Sequence, residues 1–176
     1  LGGHGDVPGY GGGMYGDTNS APVFRSCQIL DNNAVTFGGG VFVASSNALF
    51  ENCVIASNRA WSSAGGIYCS AENPVLRNCT VIGNDRDGVM GAAPFVQNCI
   101  LWNNLGTQIG GYSELRNCFV QGANVQADPM FLPGSYHLAS GSPCIDAGDA
   151  TNAPATDIEG NVRQFAPFRT NAISEV

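Results

Sequence analysis

Leu49-Phe50-Glu51-Asn52-Cys53-Val54-Ile55-Ala56-Ser57-Asn58 recurs with small changes before and after its own place in the chain. Phe24-Arg25-Ser26-Cys27-Gln28-Ile29-Leu30-Asp31-Asn32 precedes it. Leu76-Arg77-Asn78-Cys79-Thr80-Val81-Ile82-Gly83-Asn84, Val96-Gln97-Asn98-Cys99-Ile100-Leu101-Trp102-Asn103-Asn104 and Leu115-Arg116-Asn117-Cys118-Phe119-Val120 follow. The five motif cysteines stand 26, 26, 20 and 19 residues apart, a period that signals stacked structural repeats. A glycine-led element keeps the same phase in Gly11-Gly12-Gly13-Met14-Tyr15, Gly38-Gly39-Gly40-Val41-Phe42 and Gly65-Gly66-Ile67-Tyr68.

Each repeat therefore reads as a glycine-led strand, a turn, a second strand carrying Cys, and another turn. Both strands are short and rich in β-branched and aromatic residues. With no partner inside the repeat, such strands satisfy their backbone only by pairing with the equivalent strand of the next copy. That arrangement is all-β, a right-handed parallel β-helix of about five to six coils. Its hand follows from the strong bias of parallel crossovers. Strands about 4.8 Å apart make the repeat region a rod roughly 25 Å long.

The phase of the motif fixes which side chains face in. Phe24, Phe50, Leu76, Val96 and Leu115 stand three before the Cys, and residues three apart on a straight strand face opposite sides. A bend is therefore expected at the intervening Asn (Ser26 in the first copy), because Asn tolerates a left-handed backbone. Asn32, Asn58, Asn84 and Asn104, five after the Cys, form a second column whose stacked amides can hydrogen bond along the rod. Cys27, Cys53, Cys79, Cys99 and Cys118 form a third, which we read as a reduced packing ladder, since free Cys behaves as a small buried apolar residue.

Residues 1–10 read as a loop or incomplete coil, with His4 a loop residue. Residues 11–121 form the coils, 122–163 an irregular cap closing the end of the rod, and 164–176 an extended tail. The chain opens inside a glycine-rich run, so we expect an excised or mature piece of a longer protein. No apolar run reaches membrane-helix length, so direct membrane insertion is not expected. The seven cations are all Arg, against fourteen acids and a net charge of -7. Phosphate recognition needs concentrated positive charge, so a nucleic-acid partner is not expected.

The glycine-led and Asn-Cys repeats resemble those of right-handed parallel β-helix proteins of bacterial surfaces, including polymorphic outer-membrane-protein-like repeats. The blocks Asp128-Pro129-Met130-Phe131, Gly141 to Asp149 and Asp157 to Arg163 are similar to the end of β-helix proteins carrying a choice-of-anchor segment. The resemblance implies an extracellular or cell-surface location.

Two function classes compete. A polysaccharide lyase needs a multi-carboxylate calcium site with a basic residue, and a glycoside hydrolase needs paired carboxylates. The outward column Arg25, Glu51, Arg77, Gln97, Arg116 fits a ladder of ion pairs and hydrogen bonds better than either, so no catalytic residue is assigned. Asp146, Asp149, Asp157 and Glu159 are candidates for calcium, with turn and capping roles as the alternative; no other cofactor is expected. The reading favoured is a non-catalytic module for adhesion, scaffolding or self-assembly. Tyr15, Phe42 and Tyr68, with Met90 beyond them, would form an outward aromatic column able to bind a polysaccharide, unless a long turn folds over it. End-to-end or lateral pairing with a second copy is the other partner expected.

Overall fold

The corners of each coil fall where the sequence supplies residues that accept a left-handed backbone. The computed structural model describes residues 9–163 apart from 19, 45–46, 72, 112 and 124–126, so His4 and the 164–176 tail lie outside the described residues. Ser26, Asn52, Asn78, Asn98 and Asn117 all have φ between 48° and 58°. Each bends the chain between the apolar residue and the Cys, so that both face inward. The expected second strand is therefore two strands, and each coil has three sides.

Coil 1 holds β1 (Met14–Gly16), β2 (Val23–Arg25), β3 (Gln28–Leu30) and the short β4 (Asn33–Ala34). Coil 2 repeats it with β5 (Val41–Val43), β6 (Leu49–Glu51), β7 (Val54–Ala56) and β8 (Arg59–Ala60). Coil 3 has β9 (Ile67–Cys69), β10 (Val75–Arg77) and β11 (Thr80–Ile82). Coil 4 has β12 (Val89–Met90), β13 (Phe95–Gln97) and β14 (Ile100–Trp102). Coil 5 has β15 (Glu114–Arg116) and β16 (Phe119–Val120). The strands stack in order into one four-stranded, two five-stranded and one two-stranded sheet. Every pairing within these sheets is parallel and joins like positions, as in Phe24↔Phe50↔Leu76↔Val96↔Leu115.

A second set of corners lies four residues after each Cys, at Asp31, Ser57, Gly83, Asn103 and Gly122, all with positive φ. The next residue turns inward, and there the Asn ladder forms. Asn58 donates from its backbone and its amide to Asn84 Oδ1, each at 3.0 Å, and Asn84 donates in the same way to Asn104 Oδ1 at 3.0 and 2.8 Å. The Asn58, Asn84 and Asn104 amides also donate to a carbonyl of the preceding coil, as Asn84 Nδ2 does to Ile55 at 3.0 Å. Gln108 caps the end, accepting from Asn104 Nδ2 at 2.7 Å.

The core between the three sides is apolar and thin: Phe50, Ile55, Ile67, Leu76, Val81, Val96 and Leu101 are fully buried. Burying such side chains is worth roughly 1.5–3 kcal/mol each. The Cys column fills one corner. All seven cysteines are free, and each motif thiol donates to the carbonyl two residues earlier, at 3.1–3.3 Å. The glycine corner needs its residue type for space, because a Cβ on Gly39 would collide with the Arg59 carbonyl. In coil 5, Ile109 rather than Gly110-Gly111 carries the register, bridging to Val89. That glycine pair is therefore not the repeat's own.

Two expectations need correction. The outward Arg column forms only one bridge between coils, Arg25 Nε to Glu51 Oε2 at 2.9 Å. Arg116 instead pairs with Glu114 of its own strand, Nε to Oε1 at 2.8 Å, and lies over the Phe95 ring. The C-terminal segment also does not simply close the end of the rod; it runs back along its side as a strap. Phe131, Leu138, Cys144 and Ala147 pack on Ile100 and Phe119, while Tyr136 and Ile158 pack on Val54 and Ala56. These outward residues of the third side are apolar and would otherwise face water. The strap is fixed to the corner amides: Asn98 exchanges two 2.8 Å hydrogen bonds with the Asp149 backbone. Asn52 donates to the Thr156 carbonyl at 3.3 Å and accepts from Arg163 Nη2 at 2.7 Å.

Candidate functional site

The aromatic column is present and largely roofed. Tyr15, Phe42 and Tyr68 stack with centroids 5.5 and 5.6 Å apart and planes within 5° of parallel. Tyr10 and Phe37, each immediately before a glycine run, lie over them as a second layer: Tyr10 is 4.6 Å from Phe42, and Phe37 is 4.7 Å from Tyr68. Phe42 is thus only 7% exposed, not the open platform expected of it. Tyr15, Tyr68 and Met90 are half-buried. Met90 follows Tyr68 in register.

The calcium candidates are not brought together. Asp149 caps the 3-10 turn Ala150–Asn152 by accepting from the Thr151 backbone. Asp157 accepts from the backbones of Glu159 and Asn161 at 2.9 and 2.8 Å. Glu159 instead faces His137 Nε2 at 2.9 Å, and Asp146 sits at a left-handed position. Among the described residues no three His, Cys, Asp or Glu side chains converge as a metal site would require. No helix among them is long and apolar enough to cross a membrane.

A different surface collects exposed apolar and charged groups. From the ladder Asn to the residue before the next first strand, coils 1 and 2 run nine residues (Asn32 to Gly40, Asn58 to Gly66), whereas coils 3 and 4 run five (Asn84 to Gly88, Asn104 to Gln108). The wall of the rod therefore steps inward below coil 2. Trp61 stands on the lip of that step, 72% exposed. Beneath it lies a hollow of about 480 Å³ lined by Asn33, Arg59, Ala60, Trp61, Asp85 and Arg86. A second, of about 350 Å³, shares Asp85 and Arg86 and reaches Asp87, Leu105 and Gly106. A third of about 270 Å³ continues from Gly106 to Val120 and Gln121. Together they form an open trough along the rod axis.

The walls follow from the repeat. Asn33, Arg59, Asp85 and Leu105 each come directly after a ladder Asn, and the backbone N–H groups of the last three bond to Asn32, Asn58 and Asn84 at 2.8–3.0 Å. Their side chains therefore project in one outward column. Arg59 Nε bonds Asp85 Oδ2 at 2.9 Å, and Arg86 Nε donates to the Ala60 carbonyl at 3.0 Å. Arg86 has φ 69°, the left-handed corner that Gly11, Gly38 and Ala64 hold three residues before the first strand of the other coils. Burial alone would raise the Asp87 carboxyl. Hydrogen bonds from the Thr107 hydroxyl and backbone, the Ser63 hydroxyl and the Ala64 backbone outweigh it and hold the carboxyl below its usual value. Asp87 is thus a hydrogen-bond acceptor and is not kept protonated, as the acid of a glycoside hydrolase must be.

None of these trough residues stood out in the motif. Their signal was the drop from 26 to 20 residues between successive motif cysteines, with a tryptophan in the last long turn before it. Searches of curated proteins and of solved structures returned no match. A family model described as a right-handed β-helix region does match, over residues 9–127, the stretch that carries all the stacked parallel strands. The chain therefore belongs to the right-handed β-helix family.

Proposed function

We propose that the chain is a non-catalytic binding module of an extracellular or cell-surface protein, which holds a linear polysaccharide in the trough beside Trp61 and so serves adhesion or scaffolding. The observation that carries this reading is the exposed indole at the lip of an axial trough whose floor offers guanidinium, carboxylate and backbone groups. A ring face supplies an apolar surface for a sugar, and the neighbouring polar groups serve its hydroxyls. The surface location rests on the resemblance of the repeats and of the C-terminal blocks. The roofed aromatic column has a structural part in this reading.

Affinity electrophoresis or calorimetry against a panel of soluble polysaccharides tests it. Trp61 carries little of the core, so Trp61→Ala should keep its melting temperature and weaken binding about tenfold, the equivalent of roughly 1.4 kcal/mol. Tyr15→Ala should change binding little. Unaltered retention of every bound polysaccharide by Trp61→Ala would remove the trough as the site. The guanidinium of Arg86 in one hollow with the carboxylates of Asp85 and Asp87 favours a second reading, a lyase or hydrolase acting on acidic polysaccharide. Release of unsaturated or reducing-end products by the same preparation, with or without calcium, would establish it.

A further inference from the structure

We infer that the ligand of this trough is a neutral, ribbon-shaped polysaccharide with equatorial linkages, of the cellulose, mannan or chitin kind, lying along the rod axis. This rests on the reading of the trough as a polysaccharide site and adds the class of chain that fits it. Two observations carry it, one on charge and one on spacing.

The trough is electrically balanced. Arg59 and Arg86 face Asp85 and Asp87, Arg59 is spent on Asp85, and Arg86 Nε on a carbonyl. Among the described lining residues two guanidinium groups are matched by two carboxylates, so the trough offers a carboxylated sugar no net positive charge, and the net charge of -7 repels a polyanion as it approaches. Neutral hydroxyls, by contrast, can both donate to the carboxylates and accept from the guanidinium groups.

The apolar contacts have a period. Trp61 belongs to coil 2 and Leu105, 77% exposed, to coil 4. They are two coils apart, about 9.6 Å along the axis at the spacing of paired strands. Coil 3, between them, contributes the polar Asp85 and Arg86. In an extended, equatorially linked chain each sugar is flipped relative to the last, so the same face returns at every second sugar. Such a ribbon lays one sugar on the indole, presents hydroxyl edges to Asp85 and Arg86, and sets the next-but-one sugar on Leu105. A chain that coils, as axially linked polymers do, turns its faces away over the same distance.

Hexasaccharides distinguish these cases by calorimetry on the intact chain: cellohexaose, mannohexaose and chitohexaose against maltohexaose and hexagalacturonate. The inference expects binding of at least one of the first three, weakened about tenfold by Trp61→Ala and about threefold by Leu105→Ala, since a leucine buries less area on a sugar than an indole. Preference for maltohexaose or hexagalacturonate overturns the inference and leaves the trough as a polysaccharide site. So does ribbon binding that Trp61→Ala weakens and Leu105→Ala does not. Failure of every hexasaccharide and every polysaccharide to bind overturns the proposed function itself.

Discussion

Cys69 shows how single residues are chosen for a thin core. It stands in register with Val43 and, further up, Gly16, on the inward side of the first sheet. Burial pushes its thiol from 9.0 up to about 12. The folded value is the higher one, so the neutral thiol's contribution to stability is complete below 9.0 and is lost as the pH climbs toward about 12. Cys69→Val, which copies Val43, should match the parent protein's urea midpoint at neutral pH under reducing conditions. It should lose less than the parent above the ordinary thiol value; equal losses would mean that Cys69 titrates as if exposed. Cys144, raised to about 11 by burial, keeps some alkaline sensitivity in both proteins.

At the scale of the element, the Asn ladder replaces side-chain bulk with hydrogen bonds. Asn84 is fully buried and its side chain takes part in four of them, two donated to Asn104 and Ile55 and two accepted from Asn58. Removing it strands the two Asn58 donors on one neighbouring coil and takes a donor from Asn104 Oδ1 on the other. Asn84→Ala is therefore expected to cost about 3 kcal/mol or more by chemical denaturation; a cost under about 1 kcal/mol would show that the ladder is incidental. The ladder and the Cys column were legible in the sequence because the fold puts like residues at like positions, so one repeated pattern reports five places at once. The corner four residues after the Cys was not, since Asp31, Ser57, Gly83, Asn103 and Gly122 share a backbone conformation and no side chain. The trough was hidden for the opposite reason: it arises where coil 3 departs from coil 2, and a search for sameness passes over a difference.

For the whole molecule, the strap is the part that no repeat announces. Its residues have one copy each, and its place is set by apolar outward positions such as Val54 and Ile100 that a lone strand pattern leaves unexplained. Its grip on the corner column is uneven. Asn52 and Asn98 hold strap groups, while Asn78 between them, 1% exposed, has no partner among the described residues for either side-chain polar atom. Glycine keeps the left-handed corner at all three places. Asn52→Gly and Asn98→Gly should each lose about 1–3 kcal/mol and speed hydrogen exchange at the outward positions beneath the strap. Asn78→Gly should be neutral or stabilising. Equal losses at the three sites would mean that the corner conformation, not the strap, is what the amides serve.

The strap has a mechanical consequence. Hydrogen bonds between coils run parallel to the long axis, so a pull along that axis loads them one coil after another, the geometry in which a stack peels open. A segment bonded at Asn98 on coil 4 and at Asn52 on coil 2 bypasses coil 3 and shares that load as a tie rod does. Under tension the outermost turn should give way first, while the section carrying Trp61 and Arg86 keeps its shape and its grip.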